Sequence, residues 1–125
     1  MSVVLSSGLS PTSHRFFSQR LRMHFVEWGK RQAPTVVLVH GVRDHCRTWD
    51  DLIARLSAIG DYHFVAPDLR GHGDSDWVQG SGYRYIDYLY DLQQLIEQND
   101  LGPVILVGHS LGGAIASFFA GVFPE

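Results

Sequence analysis

The stretch that most constrains this chain is Gly108-His109-Ser110-Leu111-Gly112. It follows a short apolar run, Val104-Ile105-Leu106-Val107, and leads into Gly113-Ala114-Ile115-Ala116. The order is strand, sharp turn, helix, with a serine at the apex, which is the setting a G-x-S-x-G nucleophile elbow requires. So tight a turn strains the backbone at its apex. Glycines at 108 and 112 remove the side chains that would clash where strand and helix nearly touch. The serine oxygen then stands clear of the sheet, above a helix start whose free N–H groups favour developing negative charge. Ser110 is therefore the candidate nucleophile.

The strand before the elbow needs partners, and the rest of the chain supplies them. Arg15 to Phe17 and Leu21 to Val26 read as two strands, the second alternating Leu21, Met23 and Phe25 with Arg22, His24 and Val26. Thr35 to Val39 is a continuous β-branched run, suited to a strand covered on both faces. Thr48 to Ile59 reads as a helix, with Thr48 as cap, Asp51 as an imperfect capping box and Gly60 as its stop. Its buried face is Trp49, Leu52, Ile53, Leu56 and Ile59. Tyr62 to Ala66 is a strand closed by Pro67, and Asp68 to Gly82 is loop. Tyr85, Leu89, Leu92 and Ile96 mark a second amphipathic helix, ended by Gly102-Pro103. A last helix, Leu111 to Phe123, is apolar on nearly every side and is expected to be deeply packed, with Pro124 ending it. Alternation of strand and helix implies a parallel sheet joined by right-handed crossovers. In such sheets the loops at the carboxyl ends of the strands build the site. Here those are His40 to Arg47, Asp68 to Ser81 and the elbow.

Composition narrows the function. With 125 residues the chain forms one domain at most, burying roughly two-thirds of its unfolded surface. A net charge of −3 gives no footprint for nucleic acid. No run approaches the roughly 20 apolar residues of a membrane span. Residues 1–13 carry little structural signal and read as a frayed leader rather than a signal peptide, leaving 14–125 as the domain. The single cysteine, Cys46, forms no internal disulfide and suits a reducing compartment, so the cytoplasm is the expected location. Cys46 beside Arg47 reads as an ordinary loop cysteine, and no His and Cys spacing fits a zinc site. Gly71-His72-Gly73-Asp74 lacks the lysine and helix of a phosphate-binding loop. Tyr83, Tyr85, Tyr88 and Tyr90 fall at helical spacing, as core and rim.

Taken together, His40-Gly41-Val42 after one buried strand, Asp68-Leu69-Arg70-Gly71-His72-Gly73-Asp74-Ser75 after the next, and Gly108 to Gly113 resemble the α/β-hydrolase fold. They are similar to its serine-nucleophile esterase, lipase and carbon–carbon hydrolase branch. Phe25-Val26-Glu27-Trp28-Gly29 and Phe123-Pro124-Glu125 match the same family. The resemblance runs from about Arg15 onward. It implies a mostly parallel sheet with helices on both faces, truncated before the sixth strand, and a small-molecule ester or acyl substrate without metal or organic cofactor. The oxyanion donors would be the backbone N–H groups of Val42 and Leu111. His40, Gly41, Gly108, His109 and Gly112 would shape the site, and Asp68 to Ser75 would be a structural loop beside the pocket. Serine at 110 counts against the dehalogenase and epoxide-hydrolase branches, which carry aspartate there.

The chain departs from that family in one respect. The triad runs serine, then acid, then histidine, yet no histidine follows Ser110 and Glu125 is the sole acid after it. The expectation is an N-terminal half of a hydrolase, inactive alone, whose acid and base lie in further sequence. Of the seven histidines, only His45 and His72 fall on site-facing loops where a substitute base could sit. The rival expectation is a non-catalytic, truncated binding protein, with Val104 to Val107 as an exposed sheet edge.

Overall fold

A computed structural model of the protein describes residues 10–80 and 82–123. Residues 1–9 of the leader expected over 1–13, Ser81 in the expected loop, and Pro124 with Glu125 lie outside the described residues. Among the described residues five strands form one sheet: β1 Thr12–Ser18, β2 Leu21–Gly29, β3 Thr35–Val39, β4 His63–Asp68 and β5 Val104–Gly108. Their spatial order is β1-β2-β4-β3-β5. The sheet is mixed. β1 with β2 and β2 with β4 are antiparallel, whereas β3 is parallel to both β4 and β5. The parallel part thus coincides with the region where the sequence alternates strand and helix. β1 begins at Thr12, inside the stretch expected as leader.

Helices cover both faces. On one side α2 (Tyr85–Gln98) and α3 (Leu111–Val122) pack on Phe16, Met23, Phe25, Val37, Val39 and Val65. On the other, α1 (Asp50–Ser57) and the 3₁₀ turn before it, Cys46–Trp49, cover Val26, Trp28, Val36, Leu38, Phe64 and Ala66. This explains why β3 has no polar alternation: every one of its residues is buried. It also corrects the half-buried reading of β2, in which His24, Val26 and Trp28 are buried as fully as Met23 and Phe25.

Four local expectations change. The helix expected from Thr48 starts as a 3₁₀ turn capped by His45, whose Nδ1 accepts the Arg47 N–H at 3.2 Å, so Thr48 is not the cap. At its far end the Ala58 and Ile59 N–H groups bond three residues back, to Arg55 and Leu56. That tightening swings Ile59 off the buried face, and it is 77% exposed. Pro67 sits inside β4 instead of ending it, because the ladder to β3 stops at Val65 and leaves that side of the strand free. The last helix is only half packed: Gly112, Ile115 and Phe119 are buried, while Phe118 and Val122 are more than half exposed. Among the described residues β5 lies at the edge of the sheet, so α3 has described sheet beneath only one flank.

Asp68, expected as the first loop residue, ends β4. The loop that follows is fixed over α2 by a buried ion pair. Arg70 donates from Nε to Asp91 Oδ2 at 2.6 Å and from Nη2 to Oδ1 at 3.0 Å, and its Nη1 donates to the Gly82 carbonyl at 2.7 Å. Ser18 adds a hydrogen bond to Asp91, tying β1 to the same point. Asp91 therefore lies on the apolar face of α2 with its charge matched.

Candidate active site

Ser110 sits between β5 and α3 with φ 57° and ψ −117°, a conformation L-residues rarely adopt. It is exposed and makes no capping hydrogen bond. Glycines make this possible. A Cβ at Gly108 would lie 2.7 Å from the Gly113 nitrogen, and one at Gly112 would lie 2.6 Å from the His40 carbonyl oxygen. Either side chain would force strand and helix apart. The Gly112 N–H donates to the His109 carbonyl at 2.9 Å and closes the turn.

The loop after β3 meets the elbow directly. A Cβ on Gly41 would be 3.1 Å from the His109 carbonyl oxygen and 3.2 Å from Ser110 Cβ, so glycine lets this backbone press against the serine. The His109 N–H donates to the Val39 carbonyl at 3.1 Å, joining the two segments. Val42 and Leu111 line one cleft of about 530 Å³, together with Tyr83, Arg84, Tyr85 and Tyr88. Leu111 opens α3, so its N–H has no acceptor one turn back. Among the described residues no backbone carbonyl outside the regular elements accepts from the N–H of Val42 or of Leu111. Tyr88 is buried and Tyr85 is half exposed, its ring against Phe118 at 5.1 Å, so the tyrosines do divide into core and rim.

His40 is fully buried. Its Nδ1–H donates to the Gly41 carbonyl at 2.7 Å and its Nε2 accepts the Leu69 N–H at 3.0 Å. Burial pushes its ring below the usual imidazole range, which favours the neutral form those two bonds require. His40 therefore staples the β3 loop to the end of β4. His109 is exposed on the turn. The two candidate substitute bases are both engaged at Nδ1: His45 accepts from Arg47, and His72 donates to the Arg70 carbonyl at 2.9 Å. His45 also lines a different cavity, beside Asp68, from the one holding Val42 and Leu111.

Asp68, at the end of β4, is the organising group beside the site, although in sequence it opens what resembles a merely structural loop. Its carboxylate accepts the Cys46 N–H at 2.7 Å, His24 Nδ1–H at 2.7 Å and the Asp74 N–H at 3.0 Å. Its backbone carbonyl takes the Ser75 hydroxyl at 2.7 Å. A cap-like acid surrounded by Gly71 and Gly73 at positive φ is the one signal that could have marked it. Burial by itself would raise the Asp68 carboxyl, but hydrogen bonds from Asp74, His24 and Cys46 outweigh it and hold the group below the ordinary carboxylate range. A depressed folded-state value contributes stability that is complete above about pH 4 and is lost as pH falls through the folded value. The Asp68→Asn variant is thus expected to be less stable by about 1–3 kcal/mol at neutral pH, with a shallower loss of stability in acid. Urea melts at pH 7 and pH 3 check both. By contrast, burial and the Asp68 charge drive the Cys46 thiol far up, so with nothing bound it stays protonated and is not an activated nucleophile.

A strained, exposed serine between a parallel strand and a helix, on a mixed sheet covered on both faces, is the arrangement of an α/β-hydrolase. The chain belongs to that family: the family model described as Serine aminopeptidase, S33, matches residues 30–124. Lipase LipV of Mycobacterium tuberculosis is 35% identical over 103 residues, covering 82% of this chain and 38% of the lipase. Epoxide hydrolase 4 of Mus musculus is 31% identical over 106 residues, covering 84% of this chain and 29% of that protein. Among solved structures, the thioesterase domain from the curacin biosynthetic pathway superposes with a TM-score of 0.85 at 28% identity, covering 93% of this chain and 41% of that domain. The chain spans between 26% and 38% of the length of the curated relatives it matches.

Proposed function

We propose that the complete protein is a serine hydrolase that cleaves a carboxylic ester or a related acyl or carbon–carbon bond through an acyl-enzyme on Ser110. One observation carries this reading: the strained Ser110 stands exposed beside a cleft lined by both Val42 and Leu111. In the reaction Ser110 Oγ attacks the substrate carbonyl carbon and passes its proton to a histidine. The carbonyl oxygen becomes an oxyanion held by the Val42 and Leu111 N–H groups. Collapse of the tetrahedral adduct expels the leaving group, which takes the proton from the histidine. Water, activated by the same base, then releases the acid and restores the serine.

Gly41 and Gly112 set the close approach this needs, and neutral His40 holds the Val42 loop by its two hydrogen bonds. The acid and base are assigned to the part of the relatives' length that this chain does not span. The engagement of His45 and His72 elsewhere supports that assignment. Serine at 110 also favours acyl chemistry over the aspartate-dependent opening of epoxides, and two of the similar proteins are named as a lipase and a thioesterase. The substrate is a small molecule reaching an open, tyrosine-lined cleft. No helix among the described residues is long and apolar enough to cross a membrane.

The test is labelling of the complete protein by a serine-directed phosphonate. One adduct is expected, on Ser110, and none in Ser110→Ala. Labelling that persists in the variant would refute the assignment.

A further inference from the structure

We propose that the buried triangle of His24, Cys46 and Asp68 is a binding site for one thiophilic divalent cation of the zinc class. The three side chains come from β2, from the 3₁₀ turn after β3 and from the end of β4, and all are buried. Their donor atoms, an imidazole nitrogen, Cys46 Sγ and a carboxylate oxygen, lie within 4.8 Å of one another. This is the mixed nitrogen, sulfur and oxygen set that zinc accepts. A tetrahedral ion with zinc's bond lengths spaces its ligand atoms roughly 3–4 Å apart. To admit it, His24 and Asp68 open from their 2.7 Å hydrogen bond and the Cys46 thiol gives up its contact with Asp68, all three donor atoms starting within 4.8 Å of one another.

Three further features fit. The triangle forms one wall of a cavity of about 270 Å³ that also reaches Asp74, His45 and Arg47, whose Nε is paired with Asp50, giving an approach path and room for water as fourth ligand. Asp68 is already oriented by the Cys46 and Asp74 N–H groups. His24 Nε2 lies 3.0 Å from Ser13 Oγ. With the ion on Nδ1, the ring's single proton moves to Nε2 and is donated to that hydroxyl, the outer-shell contact metal-bound histidines use. The protons balance simply: Asp68 is already ionised, His24 changes tautomer, and the Cys46 thiol releases its proton to solvent as the sulfur–metal bond forms. A dication with one thiolate and one carboxylate leaves the buried site neutral.

The site is separate from Ser110. Its residues line none of the cleft shared by Val42 and Leu111. Asp68 does adjoin Leu69, whose N–H holds His40, so the ion would brace the β3 loop from beneath. Spacings of 22 residues between successive ligands (24, 46, 68) give no local motif, which is why a search by spacing misses it.

Cobalt(II) is the probe, added to the complete protein after chelator treatment and read by absorbance. One equivalent is expected to give a near-ultraviolet thiolate-to-cobalt charge-transfer band, bleached by zinc and missing in Cys46→Ala. Ser13→Ala, at an exposed strand position, is expected to weaken cobalt binding about tenfold or more. Thermal melts of the metal-free proteins establish that each variant is folded. Absence of the band, its persistence in Cys46→Ala, or an affinity unchanged in Ser13→Ala would overturn the proposal.

Discussion

Ser110→Ala in the complete protein is expected to lower turnover of an activated ester by about a millionfold while leaving the melting temperature unchanged. The magnitude follows from losing the nucleophile itself, with only oxyanion stabilisation and binding left to accelerate the attack of water. The stability side is equally specific. The serine side chain is exposed and makes no capping bond, and alanine keeps the same Cβ at φ 57°, so nothing native is lost or gained. Ser110→Gly separates the two effects further. It should be just as inactive yet more stable by about 1–3 kcal/mol, because the strain of the apex disappears. Steady-state kinetics beside calorimetry on the three proteins checks this. Activity in Ser110→Ala within tenfold of the parent would remove Ser110 from the mechanism.

The second large effect is on folding. Gly112→Val is expected to destabilise the protein by more than about 4 kcal/mol, the range reserved for a buried backbone clash. The added Cβ would press into the carbonyls of Val39, the last residue of β3, and of His40 just after it, and backbone cannot yield like a flexible side chain. Domains of this kind hold roughly 5–15 kcal/mol in all, so soluble yield should fall sharply and the urea midpoint with it. Gly121→Ala is the matched control in the same helix. A Cβ there meets nothing within 4 Å, and removing a helical glycine should stabilise by up to about 1 kcal/mol. Equal behaviour of the two variants would show that the elbow is not held by close packing.

Much of this was legible from the sequence for physical reasons that can be named. The elbow was readable because Gly108, Ser110 and Gly112 answer a steric requirement fixed by backbone geometry alone. β3 was readable because five consecutive buried residues leave an unbroken apolar run. What escaped depends on tertiary partners. His24 falls on the outward half of an alternating strand in sequence, and its burial comes from the 3₁₀ turn that brings Cys46 beside it. Asp91 sits on an apolar helix face with no local sign that Arg70, 21 residues earlier, reaches it. Asp68 reads as one loop acid among several, yet it gathers donors from β2, the 3₁₀ turn and its own loop. Ile59 keeps the helical period but lies beyond the point where the helix tightens. In the same way, α3 looked fit for deep burial on composition, and the position of β5 at the edge of the described sheet leaves one flank bare.

The most direct measurement is rapid-quench mass spectrometry of the complete protein mixed with a p-nitrophenyl ester. A burst of nitrophenol should coincide with one acyl group on the peptide containing Ser110, lost again at the turnover rate. Turnover with no acyl intermediate, or an acyl group on any other residue, would contradict the assignment of Ser110 as nucleophile.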